Sequence, residues 1–283
     1  MSNPVPAAAP ANERILLFVP MYNCEAQIPR VVAQLTALRD LPQEFGILCV
    51  DNRSTDDTVE AARNALAVSA PARWYLLRND DNYGLGGSHK VGFEFARRNG
   101  YDHVIVLHGD DQGSVDDLLP LIARGEHRRV DALLGARFQP GARLMGYSAL
   151  RTFANRAFNL VFSGVAGKRF YDLGSGLNMF RTAMFDDGFH LRYADDLTFN
   201  YYLVFGLADH EFSLRFFPIK WREDDQVSNA KLFSQGMRML RLLRQRVTSR
   251  RRFHAAEHRD VPRASYPSTL IAEGQGPGSA RTP

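Results

Sequence analysis

Four short apolar runs recur within the first 107 residues, each followed by a polar, turn-forming stretch and then a segment of helical period. They read ILLFV at 15–19, GILCV at 46–50, WYLL at 74–77 and HVIVL at 103–107. Runs this short and this uniformly apolar fit strands buried on both faces, as in a parallel sheet. After the first run, Ile28, Val31, Leu35 and Leu38 fall at helical spacing. After the second, Ser54 and Asp57 form a capping-box pattern ahead of a helix whose Val59, Ala62 and Leu66 share one face. The segment HKVGFEFARR follows the third, and Ser114 with Asp117 supply another capping box after the fourth. Four β-α units in series predict an α/β fold, an open and mostly parallel sheet flanked by helices. With 283 residues, 45% of them hydrophobic, the chain can bury such a core.

Sheets of this kind bind ligands beyond the carboxyl ends of their strands. The informative segments are therefore PMYNCE (20–25), DNRSTDD (51–57), RNDDNYGLGG (78–87) and HGDDQG (108–113). In the second, Asp56 and Asp57 are ordinary first-turn acids. Asp51 directly follows the buried strand, where its carboxylate can accept from a nucleobase. In the third, the glycines serve a tight turn or a phosphate contact. His89 stands where a G-x-G-x-x-G fingerprint starting at Gly84 needs its third glycine, and Lys90 faces either solvent or phosphate. In the fourth, the following helix has its own cap in Ser114, so Asp110 and Asp111 are free of that duty. Asp110 and Gln112 offer oxygen ligands for Mg²⁺ or Mn²⁺, and His108 favours Mn²⁺.

Charge and composition narrow the function. A net charge of +4 and a pI near 9.2 suit an anionic ligand but fall short of nucleic-acid binding. Cys24 and Cys49 are the only cysteines, which excludes a disulfide framework or a cysteine zinc site and fits a reduced cytoplasmic setting. Residues 1–13 have neither a basic start nor an apolar run and are expected to be disordered, as are residues 254–283, rich in Pro, Gly, Ser and Ala. No stretch reaches the ~20 apolar residues that span a bilayer. Two amphipathic segments remain. Residues 148–164 carry Leu150, Phe153, Ala157 and Leu160 at helical spacing, interrupted by Arg151 and Arg156. Residues 232–253 form a basic helix in which Met237, Leu240, Leu243 and Val247 accompany seven arginines and no acid. Such a helix lies on an anionic membrane or packs on its own domain.

The segments VPMYNCEAQI, VDNRSTDDT, NYGLGGSHKVGFEFA, LHGDDQG and DLGSGLNMF together resemble family 2 glycosyltransferases of the GT-A fold, in particular the polyprenyl-phosphate sugar transferases typified by dolichyl-phosphate mannose synthase. The resemblance covers roughly residues 14–247, with residues 14–231 as the catalytic domain. It implies that Asp51 reads the nucleobase and that Pro20, Tyr22 and Glu25 lie beside the nucleoside, with Gly84 and Lys90 in the same donor-binding set. The family's D-x-D-x-Q metal motif falls on His108, Asp110 and Gln112, so its first acid is absent. Arg222, Ser228 and Lys231 fall in the late loop that closes over the diphosphate. Asp172 opens the D-x-x-S-G-x segment, whose Ser175 and Gly176 line the acceptor cleft. Arg137, Arg143, Arg151 and Arg156 are candidates for an acceptor phosphate.

The implied activity is inverting transfer from a UDP- or GDP-linked sugar, aided by Mg²⁺ or Mn²⁺, to a polyprenyl phosphate at the inner face of the cytoplasmic membrane. Asp110 and Arg222 carry the catalytic roles. Asp196, beside Asp195 at the start of a later helix, is the base if the acceptor is a sugar or other hydroxyl. That acceptor is the nearest alternative, followed by a catalytically weak nucleotide-sugar-binding protein and a nucleotidyltransferase. A homodimer is compatible with the pattern; a nucleic-acid partner is not.

Overall fold

The computed structural model describes residues 13–223 and 232–276. Its centre is an eight-stranded sheet. In chain order the strands and helices are β1 (Arg14–Met21), α1 (Ile28–Gln34), β2 (Glu44–Asp51), α2 (Thr58–Ser69), β3 (Arg73–Asn79), α3 (Gly84–Arg98), β4 (His103–Leu107), α4 (Leu119–Ala123), β5 (Ala132–Ala136), β6 (Arg143–Met145), α5 (Ala149–Ala166), β7 (Leu177–Arg181), α6 (Phe199–Asp209), β8 (Leu214–Pro218), β9 (Lys220–Arg222), α7 (Leu232–Thr248), α8 (Arg250–Ala255) and β10 (Ser268–Gly274). The main sheet runs β10-β3-β2-β1-β4-β7-β5-β8, and β6 pairs with β9 separately. Only β7 and β10 run against the rest of the main sheet.

The apolar runs are buried on both faces. In β1, Ile15, Leu17 and Val19 enter one hydrophobic cluster while Leu16 and Phe18 enter the other, the period of two that a strand imposes. Because β2 and β3 are added on one side of β1 and β4 on the other, the strand order reverses between β1 and β4. That reversal opens a crevice at their carboxyl ends.

Local details differ from the sequence reading in four places. The capping box at Ser54 does not form: its hydroxyl accepts from the Asn23 N–H at 2.9 Å instead, and Asp56 receives the Thr58 N–H. The glycines after β3 are not a loop but the first turn of α3. The basic C-terminal helix breaks at Ser249, whose hydroxyl caps α8 by accepting from Arg252 N–H. Finally, the tail expected to lack structure from residue 254 is ordered through residue 276. Its β10 pairs antiparallel with β3, covering backbone groups that an edge strand would otherwise expose.

A third cluster joins α5, α6, α7 and α8 through Phe162, Phe205, Met239, Leu242, Leu243 and Phe253. Asp209, at the end of α6, fixes this layer by pairing with Arg246, Arg250 and His254. Of the four α7 side chains expected to form its apolar face, only Leu243 is buried. Met237, Leu240 and Val247 are at least half exposed, because the packing face is rotated onto Met239, Leu242 and Leu243.

Candidate active site

The crevice at the β1–β4 reversal is closed at its base by the Gly109 N–H donating to Pro20 O at 3.1 Å. Above it lies a cavity of about 690 Å³, and it takes its walls from both halves of the chain. Pro20, Tyr22, Gly84, His108, Asp110, Gln112, Arg137, Arg151, Gly176 and Asp196 line it. So do residues the sequence reading passed over, among them Asn52, Asn82, Ser88, Tyr147 and Trp221. Asn52 and Asn82 follow the second and third apolar runs closely enough to have been found by position. Trp221 and Tyr147 belong to the second half of the chain, where strand order is no longer sequential.

Asp110 and Asp111 have different environments. Asp111 has φ 57° and points away to Arg30 at 2.7 Å and Arg222 at 3.1 Å. Asp110 makes no ion pair among the described residues; its carboxylate accepts the Gln112 N–H at 3.2 Å. Burial pushes its pKa up to about 6, and the Asp111 charge adds to the rise. A half-buried carboxylate with no ion pair, opening on the cavity, is suited to receive a cation.

His108 forms the floor beside it. A Cβ at Gly176 would sit 2.9 Å from the His108 ring, so that glycine permits the approach. Burial, followed by the nearby Arg137 charge, lowers the His108 pKa to about 4. The imidazole is therefore neutral at neutral pH, the form that ligates a metal, and its Nε2 is buried with no hydrogen-bond partner. Asp110, Gln112 and His108 thus fit a divalent cation as a donor set.

On the opposite wall, Arg137 donates to both oxygens of Asp172 at 2.8 and 2.9 Å and to Gly174 O at 3.1 Å. Burial opposes its charge, but Asp172 more than offsets this and raises its pKa. The guanidinium also stacks over Trp221, 5.1 Å from the ring centre. Asp172 is thereby a positioning group for Arg137. Arg151 pairs with Glu223, and Asp196 is held by the Thr198 N–H at 2.8 Å and by Arg238.

Several expected positions lie off the cavity wall. Lys90 is fully buried, and its ammonium donates to Tyr193 O and Asp195 at 2.6 Å each and to the Tyr266 hydroxyl at 3.2 Å. It cannot face a phosphate; it holds the C-terminal segment to the 193–195 segment. The Gly86 and Gly87 N–H groups are likewise consumed by Asp195 O, at 2.7 and 3.3 Å. Asp51 is fully buried beneath the wall, paired with Arg78 at 3.1 Å and accepting the Ser54 N–H at 3.2 Å. This leaves its carboxylate covered rather than open to a nucleobase.

Glu25 accepts the Asp57 N–H at 2.8 Å and so stitches the first loop to the second. The Ser175 hydroxyl is buried against Leu177 O, and Arg143 lies on exposed β6. Arg222 borders the metal motif, its N–H donating to Gln112 O at 3.0 Å, but its guanidinium is engaged by Asp111. Ser228 and Lys231 lie outside the described residues.

Comparison with known proteins agrees with this architecture. The chain is 26% identical over 176 residues to polyprenol monophosphomannose synthase of Mycolicibacterium smegmatis, matching 62% of this chain and 64% of that protein. It is 27% identical over 168 residues to undecaprenyl-phosphate mannosyltransferase of Micrococcus luteus, matching 59% and 66%. The chain thus spans just under two thirds of the length of either relative. Glucosyl-3-phosphoglycerate synthase from Mycobacterium tuberculosis, crystallised with Mn²⁺, UDP and glucosyl-3-phosphoglycerate, superposes with a TM-score of 0.55 at 15% identity, covering 92% of this chain and 89% of that one. This likeness identifies the fold as GT-A. The family model described as "Glycosyl transferase family 2" matches residues 17–189, and the chain belongs to that family.

Proposed function

We propose that this protein transfers a sugar from a nucleotide-diphosphate sugar to a polyprenyl phosphate at a membrane surface, with inversion at the anomeric carbon. The observation that carries the reading is the mixed lining of the cavity. Its lining has a polar set, Asp110, His108, Gln112 and the Asn52–Asn82 pair, an apolar set, Leu150, Phe158, Leu197, Tyr201 and Met239, and the two arginines Arg137 and Arg151. A polar nucleotide fits the polar set, a phosphate fits the arginines, and a hydrocarbon chain fits the apolar wall.

That wall continues onto the surface of α5, where Leu150, Phe153 and Leu160 are each more than 70% exposed, and onto α7 through Met237 and Leu240. Exposed apolar patches rimmed by arginines mark membrane contact. No helix among the described residues is long and apolar enough to cross a membrane. The relatives named for polyprenol and undecaprenyl-phosphate transfer support the acceptor class. The Mn²⁺–UDP complex of the similar structure supports the donor and metal.

Asp110, Gln112 and His108 would hold the cation, which when bound supplies neutralising charge for the leaving diphosphate. Arg137 orients the acceptor phosphate, whose oxygen is already anionic and attacks without a base. Arg222 borders the donor side, where release from Asp111 would bring it to the diphosphate. The hydroxyl-acceptor alternative needs Asp196 as base, yet both of its carboxylate oxygens already accept hydrogen bonds, from Thr198 and Arg238.

The test is incorporation of labelled sugar from UDP- and GDP-sugars, with Mn²⁺, into vesicles containing a polyprenyl phosphate. Label should enter the lipid fraction from one donor series, with inverted configuration in the product. Label transferred only to soluble alcohols would overturn the acceptor assignment. Leu150→Ser with Phe153→Ser should reduce vesicle sedimentation and leave Tm unchanged, since neither side chain is packed.

A further inference from the structure

The amino ends of the strands carry a second cluster of metal-ligating groups, far from the cavity. Glu13 precedes β1, His103 opens β4, and His127 follows α4 in a turn of 3-10 helix. Their ligand atoms all lie within 4.8 Å of one another. His108 closes the other end of the same strand, so about 17 Å of β4 separates this cluster from the active-site motif.

All three side chains are at least nine-tenths buried, with Glu13 5%, His103 6% and His127 2% exposed. Glu13 Oε1 is 3.0 Å from His127 Nε2 and 3.5 Å from His103 Nδ1. The second contact is too poorly aimed for a hydrogen bond, and both ring nitrogens of His103 are buried without a partner. Orphaned nitrogens in a dry site are costly unless something binds them. Arg128 takes the other carboxylate oxygen, Oε2, at 2.6 Å. Arg128 Nε also reaches Oε1, at a longer 3.3 Å, so the guanidinium fixes the carboxylate while Oε1 still meets both imidazoles, the support that ligating carboxylates usually receive.

We propose that Glu13, His103 and His127 bind one Zn²⁺ that staples the start of β1, the start of β4 and the turn after α4 together. Ligands at ~2.0–2.1 Å around a tetrahedral zinc stand ~3.3–3.4 Å apart. The two carboxylate–imidazole separations bracket that spacing. Two imidazoles and a carboxylate are a donor set zinc accepts, with water as the fourth ligand.

The test uses tag-free, full-length protein stripped with a chelator. Titration with Zn²⁺ should give one tight site per chain and raise Tm by roughly 5 °C at a hundredfold excess over Kd. Co²⁺ in its place should give the visible absorption of a four-coordinate ion. His103→Gln and His127→Gln should each abolish the tight site. Asp110→Asn, which alters only the active-site motif, should retain it. Absence of zinc uptake and of the cobalt spectrum in the unmodified protein would overturn the proposal without needing any variant to fold. Tight zinc binding that survives both histidine substitutions would overturn it as well.

Discussion

The loop after β4 and the start of α3 are both polar, glycine-containing segments at the carboxyl edge of the sheet, yet the structure uses them in opposite ways. In residues 108–113 the chain leaves one half-buried carboxylate, Asp110, without an ion pair among the described residues. At the start of α3 every comparable group is satisfied internally. The Gly86 and Gly87 N–H groups donate to Asp195 O, and Lys90 is locked to Asp195, Tyr193 and Tyr266. Two segments of similar composition therefore differ in whether folding has already satisfied their polar groups. A ligand site is where it has not.

The largest effect should come from Asp110. Asp110→Asn removes a cavity carboxylate that makes no ion pair among the described residues, and kcat should fall by ~10²–10³, the scale of losing one transition-state electrostatic partner. Asp111→Asn should keep kcat within about tenfold. It should cost only ~1 kcal/mol of stability, since Arg30 and Arg222 are half exposed and Asn tolerates the left-handed backbone. Initial rates and urea unfolding of the two variants read this directly. Equal loss of kcat at both positions would mean that the two aspartates share the role.

Lys90→Met sharpens the other side of the comparison. It leaves Asp195 without its cation and should cost ~3–5 kcal/mol of stability, the scale of breaking a buried pair. The folded fraction should bind donor with unchanged Kd. Loss of donor affinity at unchanged Tm would restore the phosphate-facing reading of Lys90. A pH signature accompanies it. Burial, opposed by Asp195, lowers the Lys90 pKa to about 8, below the ~10.4 of a free lysine. A depressed pKa contributes stability that is present above the unfolded value and lost as pH falls through the folded one. Between pH ~10 and 8 the unmodified protein should therefore lose stability more steeply than Lys90→Met.

A smaller effect than that of Lys90→Met is expected at Gly86. A Cβ there would lie 2.4 Å from Ala194 O and 2.6 Å from Phe199 Cβ. Gly86→Ala should cost ~1–3 kcal/mol through overpacking, with donor affinity preserved in a calorimetric titration. A drop in donor affinity without a drop in stability would show that this turn touches the nucleotide after all.

Much of the fold was legible because strands buried on both faces write themselves as unbroken apolar runs. β1 through β4, and the crevice beyond them, follow from period and position alone. So does the location of Asp110, since a carboxylate directly after a buried strand with a separate helix cap has no local duty. For α5 the period gave only an amphipathic face, and for α7 it left open whether that face meets a membrane or the domain. Leu150, Phe153, Met237 and Leu240 have the spacing of a core stripe, and only the packing of Phe162, Met239 and Leu242 shows that the core lies on another side. The C-terminal strand was hidden by its Pro- and Ser-rich surroundings and by its shortness, since LIA at 270–272 is its only apolar run and, unlike the first four, is not buried.

The sequence by itself determined the parallel core and the edge on which a ligand binds, because hydrophobic periodicity and cap chemistry are local properties of the chain. The tertiary structure alone decided which charged groups remain available there. Arg78 covers Asp51, Asp195 captures Lys90, Arg30 and Arg222 hold Asp111, and Glu13 meets two histidines about 90 and 114 residues away. Whether a charge is spent or free depends on partners that are close in space and distant in sequence, and no local pattern records them.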